Sequence, residues 1–135
     1  MMRMFRGHYC RVLVRCLFII VLVIVSCGKT PPLQFCEGVT DEGTPVNCGS
    51  QFTTGDMTLY VTAKEAFGST TATVVIYEKK HYSQPEYTRF DYTINPDVSS
   101  TIIPLSLYAE GTYIVTVIVG DKEIASGTIS IVDTY

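Results

Sequence analysis

The sequence predicts an all-β domain, a two-sheet sandwich of about seven strands preceded by a signal-peptide helix and a short tether. Three observations predict it. From residue 51 onward the chain is rich in Thr, Val, Ile and Tyr, which suit a pleated, half-buried surface. Gly, Pro, Asp and Ser punctuate that stretch at strand-length intervals, and its apolar side chains recur with the period of a strand. No segment after the signal carries a helical period.

Each element follows from its own pattern. A short opening strand is expected near Phe52. Next, Met57, Leu59, Val61 and Ala63 share one parity and Thr58, Tyr60, Thr62 and Lys64 the other, so one face is apolar. Residues 72–79 alternate less cleanly, because Val75 and Tyr77 interleave with Val74 and Ile76; a central strand covered on both faces fits that pattern. Residues 87–94 alternate strictly, with Phe90, Tyr92 and Ile94 inward and Arg89, Asp91 and Thr93 outward. Ser100–Leu107 places Ile103, Leu105 and Leu107 on one side, while Pro104, with no N–H to donate, points to an edge or a bulge. Tyr113, Val115, Val117 and Val119 share a face, Gly120-Asp121 makes a tight turn, and Lys122–Val132 returns with Ile129 and Ile131 inward. That is a hairpin.

The start of the chain has a different character. Arg3, Arg6, Arg11 and Arg15 are the only charged residues among the first 28, a start that stays on the cytoplasmic side. Residues 16–26 form an apolar run long enough for a secretory signal but short of the roughly 20 residues of a spanning helix. The run closes on Ile24-Val25-Ser26-Cys27. This junction resembles the lipobox of bacterial lipoproteins, an aliphatic residue and then small residues ahead of an acylated Cys. It departs in having Ile24 for the usual Leu and Val25 for the usual Ala or Ser. The resemblance implies cleavage before Cys27, diacylglyceryl and palmitate-type acyl chains on Cys27, and attachment to the bacterial cell envelope. Gly28, in place of the Asp that marks inner-membrane retention, favours the outer membrane. An ordinary signal peptide or an uncleaved short anchor is the other reading. The expected divisions are 1–26 signal peptide, 27–50 lipidated Cys, tether and disulfide loop, and 51–135 sandwich.

Cleavage would remove the four early arginines, leaving six of ten basic residues against all thirteen acidic ones, so the net charge moves from −3 to −7. Lys29, Lys64, Lys79, Lys80, Arg89 and Lys122 are scattered apart from one Lys-Lys pair, which argues against nucleic acid as a partner. An acidic chain also gains nothing from anionic lipids, so membrane contact is expected through acyl chains alone. Cys10 and Cys16 would leave with the signal. Cys36 and Cys48 then remain as an even pair in an exported chain, which predicts a disulfide. It would close the polar loop 37–47, a constraint of about 3 kcal/mol. A metal or redox pair would be the alternative, but CxxC spacing and a neighbouring His are missing. Residues 28–35, with two prolines and a glycine, read as the tether.

Catalytic patterns are sparse. After the signal the sequence holds one histidine, His81, in a polar loop, and it has no G-x-S-x-G elbow and no D-x-D-x-D-G calcium loop. Gly28-Lys29-Thr30 mimics the end of a P-loop without its upstream glycine. Asp41-Glu42 and Asp121-Lys122-Glu123 read as solubilising acidic turns. Paired glycosidase carboxylates would need a cleft that a domain of this size, lacking insertions, is not expected to form. The chain is therefore expected to have no catalytic residues, no cofactor and no metal.

Aromatic residues give the leading candidate surface. Tyr77, His81, Tyr82 and Tyr87 flank one loop, with Tyr60 and Tyr108 at exposed parities or corners. Tyrosine supplies large contact area at low entropic cost; it also simply covers half-buried sheet edges. The acidic tip Asp41-Glu42-Gly43 is a second candidate, expected beside the anchor.

Leu107-Tyr108-Ala109-Glu110-Gly111-Thr112-Tyr113 looks like the corner before the penultimate strand of immunoglobulin-like and fibronectin type III domains. The resemblance implies an immunoglobulin-like sandwich in which the Tyr113 hydroxyl bonds back to the turn backbone. It covers the C-terminal third, and departs in lacking a core Trp and an intersheet Cys pair. Together the two resemblances imply a non-catalytic binding or structural module of the envelope that meets a protein partner. The alternative is an inhibitor of a host or competitor hydrolase, with the loop after Lys80 as its wedge.

Overall fold

A computed structural model describes residues 31–133, all of them in strands, turns or loops. The segment read as a signal, Cys10, Cys16, the expected lipidation position Cys27 and residues 28–30 lie outside the described residues. Nine strands run in chain order: β1 (Leu33–Val39), β2 (Pro45–Gly49), β3 (Gln51–Thr53), β4 (Gly55–Thr62), β5 (Thr71–Glu78), β6 (Glu86–Thr93), β7 (Ser100–Leu107), β8 (Gly111–Val119) and β9 (Lys122–Val132). They form two sheets packed as a sandwich. Sheet I has the order β2-β1-β4-β7 and sheet II the order β3-β9-β8-β5-β6.

The period-two patterns dictate which side chains enter the space between the sheets. Met57, Leu59 and Val61 of β4 and Ile103, Leu105 and Leu107 of β7 meet Val74, Ile76, Tyr113, Val115, Val117, Ile129 and Ile131 from sheet II. β5 is interior as its double apolar pattern predicts: Val75, on the outer face, is fully buried opposite Arg89 and Thr116 on the flanking strands. β7 is the edge that Pro104 foretells. The β8–β9 turn has left-handed backbone at both Gly120 (φ 57°) and Asp121 (φ 63°), the geometry whose twist matches a two-residue hairpin.

Two expectations need correction. The sandwich begins at Leu33 and not at residue 51, and has nine strands where about seven are expected, because the stretch read as tether and disulfide loop supplies β1 and β2. Leu33 and Phe35, on either side of Gln34, share one parity and both join the core. Their space is left by Gly127 of β9, where a Cβ would lie 3.0 Å from the Phe35 ring and 3.3 Å from Leu33. Gly127→Val is therefore expected to lower stability by about 1–3 kcal/mol through overpacking. Gly38→Ala, where nothing lies within 4 Å, serves as the control in the same denaturation series. β2 follows because Cys36 and Cys48 stand directly opposite each other in the β1–β2 ladder and are joined as the expected disulfide.

Candidate functional site

Strand direction sorts the loops into two ends. Pro31 and Pro32 arrive at the end where β4 finishes, and the Thr62 N–H donates to the Pro32 carbonyl at 2.9 Å. Loops 63–70, 94–99 and the turn at Gly120-Asp121 share that end. At the opposite end lie the β5–β6 loop, the β7–β8 corner and the start of β4. β1 runs antiparallel to β4, so the tip Asp41-Glu42-Gly43 also falls at this opposite end. Seven residues of strand carry the tip away from Pro32, and the expected anchor beside it, Cys27, lies outside the described residues.

The β5–β6 loop is a bracketed projection. Glu78 N–H donates to the Pro85 carbonyl at 2.9 Å and Lys80 N–H to the Ser83 carbonyl at 2.9 Å, while Lys79 N–H ties the base to Thr112 at 2.8 Å. On this frame Tyr82 is 94% exposed, and its ring meets that of His81 edge to face, centroids 4.6 Å apart. Lys80 reaches Glu78 only at 3.9 Å. A backbone held at three points with an unburied aromatic at its tip is what an adaptable contact surface needs at low ordering cost.

The four aromatics named from sequence do not act together. His81 and Tyr82 share the loop tip. Tyr77 lies half-buried on the outer face of sheet II opposite Ile114. Tyr87 is diverted by a bulge: Tyr77 pairs with Glu86 and Ile76 with Thr88, which leaves Tyr87 as the extra residue. Bulges re-aim side chains. Here the Tyr87 ring, 45% exposed, packs edge-on against Tyr113 at 5.1 Å. Tyr113 itself is fully buried and its hydroxyl donates to the Ala109 carbonyl at 2.8 Å, the corner bond that the motif implies.

Sequence reasoning missed one cluster at the same end. Asp56 Oδ1 accepts from Ser106 Oγ at 2.6 Å and from the Tyr108 hydroxyl at 2.9 Å. These two hydrogen bonds hold the Asp56 carboxyl below the usual aspartate range. Asp56 and Ser106 are register partners from strands far apart in sequence, so only pairing β4 with β7 could have found them. Tyr108, 70% exposed, gives the cluster an aromatic face. Among the described residues no group of three or more His, Cys, Asp or Glu side chains has a metal-binding arrangement. No family model and no curated protein sequence matches this chain.

Proposed function

We propose that the protein is a lipid-anchored, non-catalytic module of the bacterial cell envelope, held to the outer membrane by acyl chains on Cys27 and meeting a protein partner through the loop at 79–85. The observation that carries this reading is the exposed His81-Tyr82 tip, braced at its base and set at the end opposite Pro31. An extended stretch from Cys27 to Pro31 reaches at most about 14 Å. The eight residues of β4 separate the two ends by roughly 25 Å. The loop thus lies farther from Pro31 along the strands than the tether can span. Acyl chains contribute about 0.8 kcal/mol per buried CH₂, which suffices for a chain without basic help.

The protruding loop also favours the inhibitor reading, in which Tyr82 enters a hydrolase cleft. A photo-reactive residue at Tyr82 in living cells is expected to yield one discrete protein adduct, absent when the same residue replaces Ser126 on β9. Equal labelling at both positions would remove the loop as the contact. Purified protein that inhibits lysozyme or a protease at nanomolar concentration, with at least a hundredfold loss in Tyr82→Ala, a hot-spot effect of about 3 kcal/mol, would assign the inhibitor role.

A further inference from the structure

A sandwich has four edges, and three here are blunted. β3 is only three residues long. β2 is short, opens with Pro45 and has Asn47 in left-handed backbone at φ 52°. β7 carries Pro104. β6 differs: eight residues, no Pro, no Lys, and a bulge confined to its first residues. Long unprotected edges are templates for another strand.

The sequence of β6 specifies which strand. Ile94 N–H donates to the Thr70 carbonyl of the β5 side at 2.9 Å, so by alternation the N–H and C=O groups of Arg89, Asp91 and Thr93 face the open edge. Arg89 and Asp91 are on the outer face, opposite Val75 and Thr73, and Phe90 and Tyr92 face inward, half-buried. An antiparallel copy of β6 centred on Phe90 sets Arg89 against Asp91 of the second copy, and Asp91 against Arg89. Both charge pairs are complementary and both fall at hydrogen-bonded positions, while Phe90 faces Phe90 and Thr88 faces Tyr92. Thr73 donates to Asp91 Oδ1 at 2.7 Å, and Arg89 donates from Nε and Nη2 to Glu86, so Asp91 Oδ2 and Arg89 Nη1 are the atoms with which each would meet the second copy. Beside this edge an apolar groove lined by Ile76, Phe90, Tyr92, Pro104 and Leu105 runs between β6 and β7, open for the second copy's inward side chains.

We propose that β6 is a self-association edge: two copies pair antiparallel about Phe90, joining their five-stranded sheets into one continuous sheet across a two-fold axis. The interface is isologous. Because the axis runs along the sheet normal, sheet I of both copies lies on one side. The same axis reverses the strands, so the Pro31 ends of the two copies lie at opposite ends of the joined sheet and a bilayer that takes both tethers runs along the sheet I side. The pairing stands independently of what the loop at 79–85 binds.

Phe90 facing Phe90 is a non-hydrogen-bonded pair, with Cα atoms expected about 4.5 Å apart, within disulfide reach. Full-length protein carrying Phe90→Cys, oxidised in membranes of expressing cells, is expected to form a homodimer absent from the parent chain and from Ser126→Cys. Adding Arg89→Asp or Asp91→Arg alone sets like charges together and should cut the dimer yield about tenfold, and the double swap should restore it. Restoration by the double swap separates pairing from misfolding, since both substitutions are then present at once. Overturning results are no homodimer with Phe90→Cys, a yield indifferent to charge, or an adduct with a different protein in place of the second copy.

Discussion

Tyr113→Ala is expected to destabilise the domain by about 3–5 kcal/mol, the usual cost of deleting a buried aromatic side chain. A small domain has only about 5–15 kcal/mol in total, so the variant should unfold at far lower denaturant than wild type. Among the described residues Tyr113 is the largest fully buried side chain, and from β8 its hydroxyl holds the β7–β8 corner through Ala109. Two contributions are mixed in that loss, and Tyr113→Phe separates them. It keeps the ring and its contact with Tyr87, and leaves the Ala109 carbonyl without this donor, a change of about 1 kcal/mol. A pH series gives a second signature. Burial pushes the Tyr113 hydroxyl above its ordinary value of 10.0, with neighbouring Tyr87 and Glu78 adding to the effect. The folded state therefore holds the proton more tightly than the unfolded chain. The contribution is fully present below the ordinary tyrosine range and is lost as pH rises through the raised folded value. The alkaline fall in stability should be smaller in Tyr113→Phe than in wild type.

Removing the Cys36–Cys48 bridge is expected to cost about 3 kcal/mol, from the loop closed by a separation of 12 residues. For a domain of this length that is a drop in Tm of roughly 15 °C. The reason lies in the neighbourhood of β2. It is hydrogen-bonded to β1 alone and almost wholly exposed, so the ladder and the bridge hold it in place of burial. Cys36 is fully buried while Cys48 is exposed. The Cys36→Ala/Cys48→Ala double variant, followed by thermal denaturation and amide exchange, should show both the lower Tm and selective loss of protection in β2. A Tm unchanged in the double variant would mean that β2 is held by its ladder alone.

Strand periodicity made most of the fold legible. From β4 to β9 the apolar parity named the inward side chains, Pro104 named an edge, and Gly120-Asp121 named the tight turn. β1 and β2 were harder to see for a physical reason. Leu33 and Phe35 are only two apolar residues behind two prolines, and Pro45–Gly49 has no buried face from which a pattern could arise. Their strand character comes from partners elsewhere, Gly127 making room for Phe35 and β1 giving β2 its ladder. The candidate site was legible in part. His81 and Tyr82 stand where a polar loop between strands implies. Tyr87 turned inward because of a bulge that no local spacing announces, and Asp56 gained Ser106 and Tyr108 through a pairing across 50 residues of sequence.

Anchoring through Cys27 is the claim on which the proposed role rests, and intact mass measurement of the protein from membrane fractions of an expressing bacterium tests it most directly. The expected product is a chain beginning at Cys27 and carrying diacylglyceryl and acyl mass, with both that mass and membrane association lost in Cys27→Ser. An unmodified soluble product, or a chain that retains residues 1–26, would contradict it.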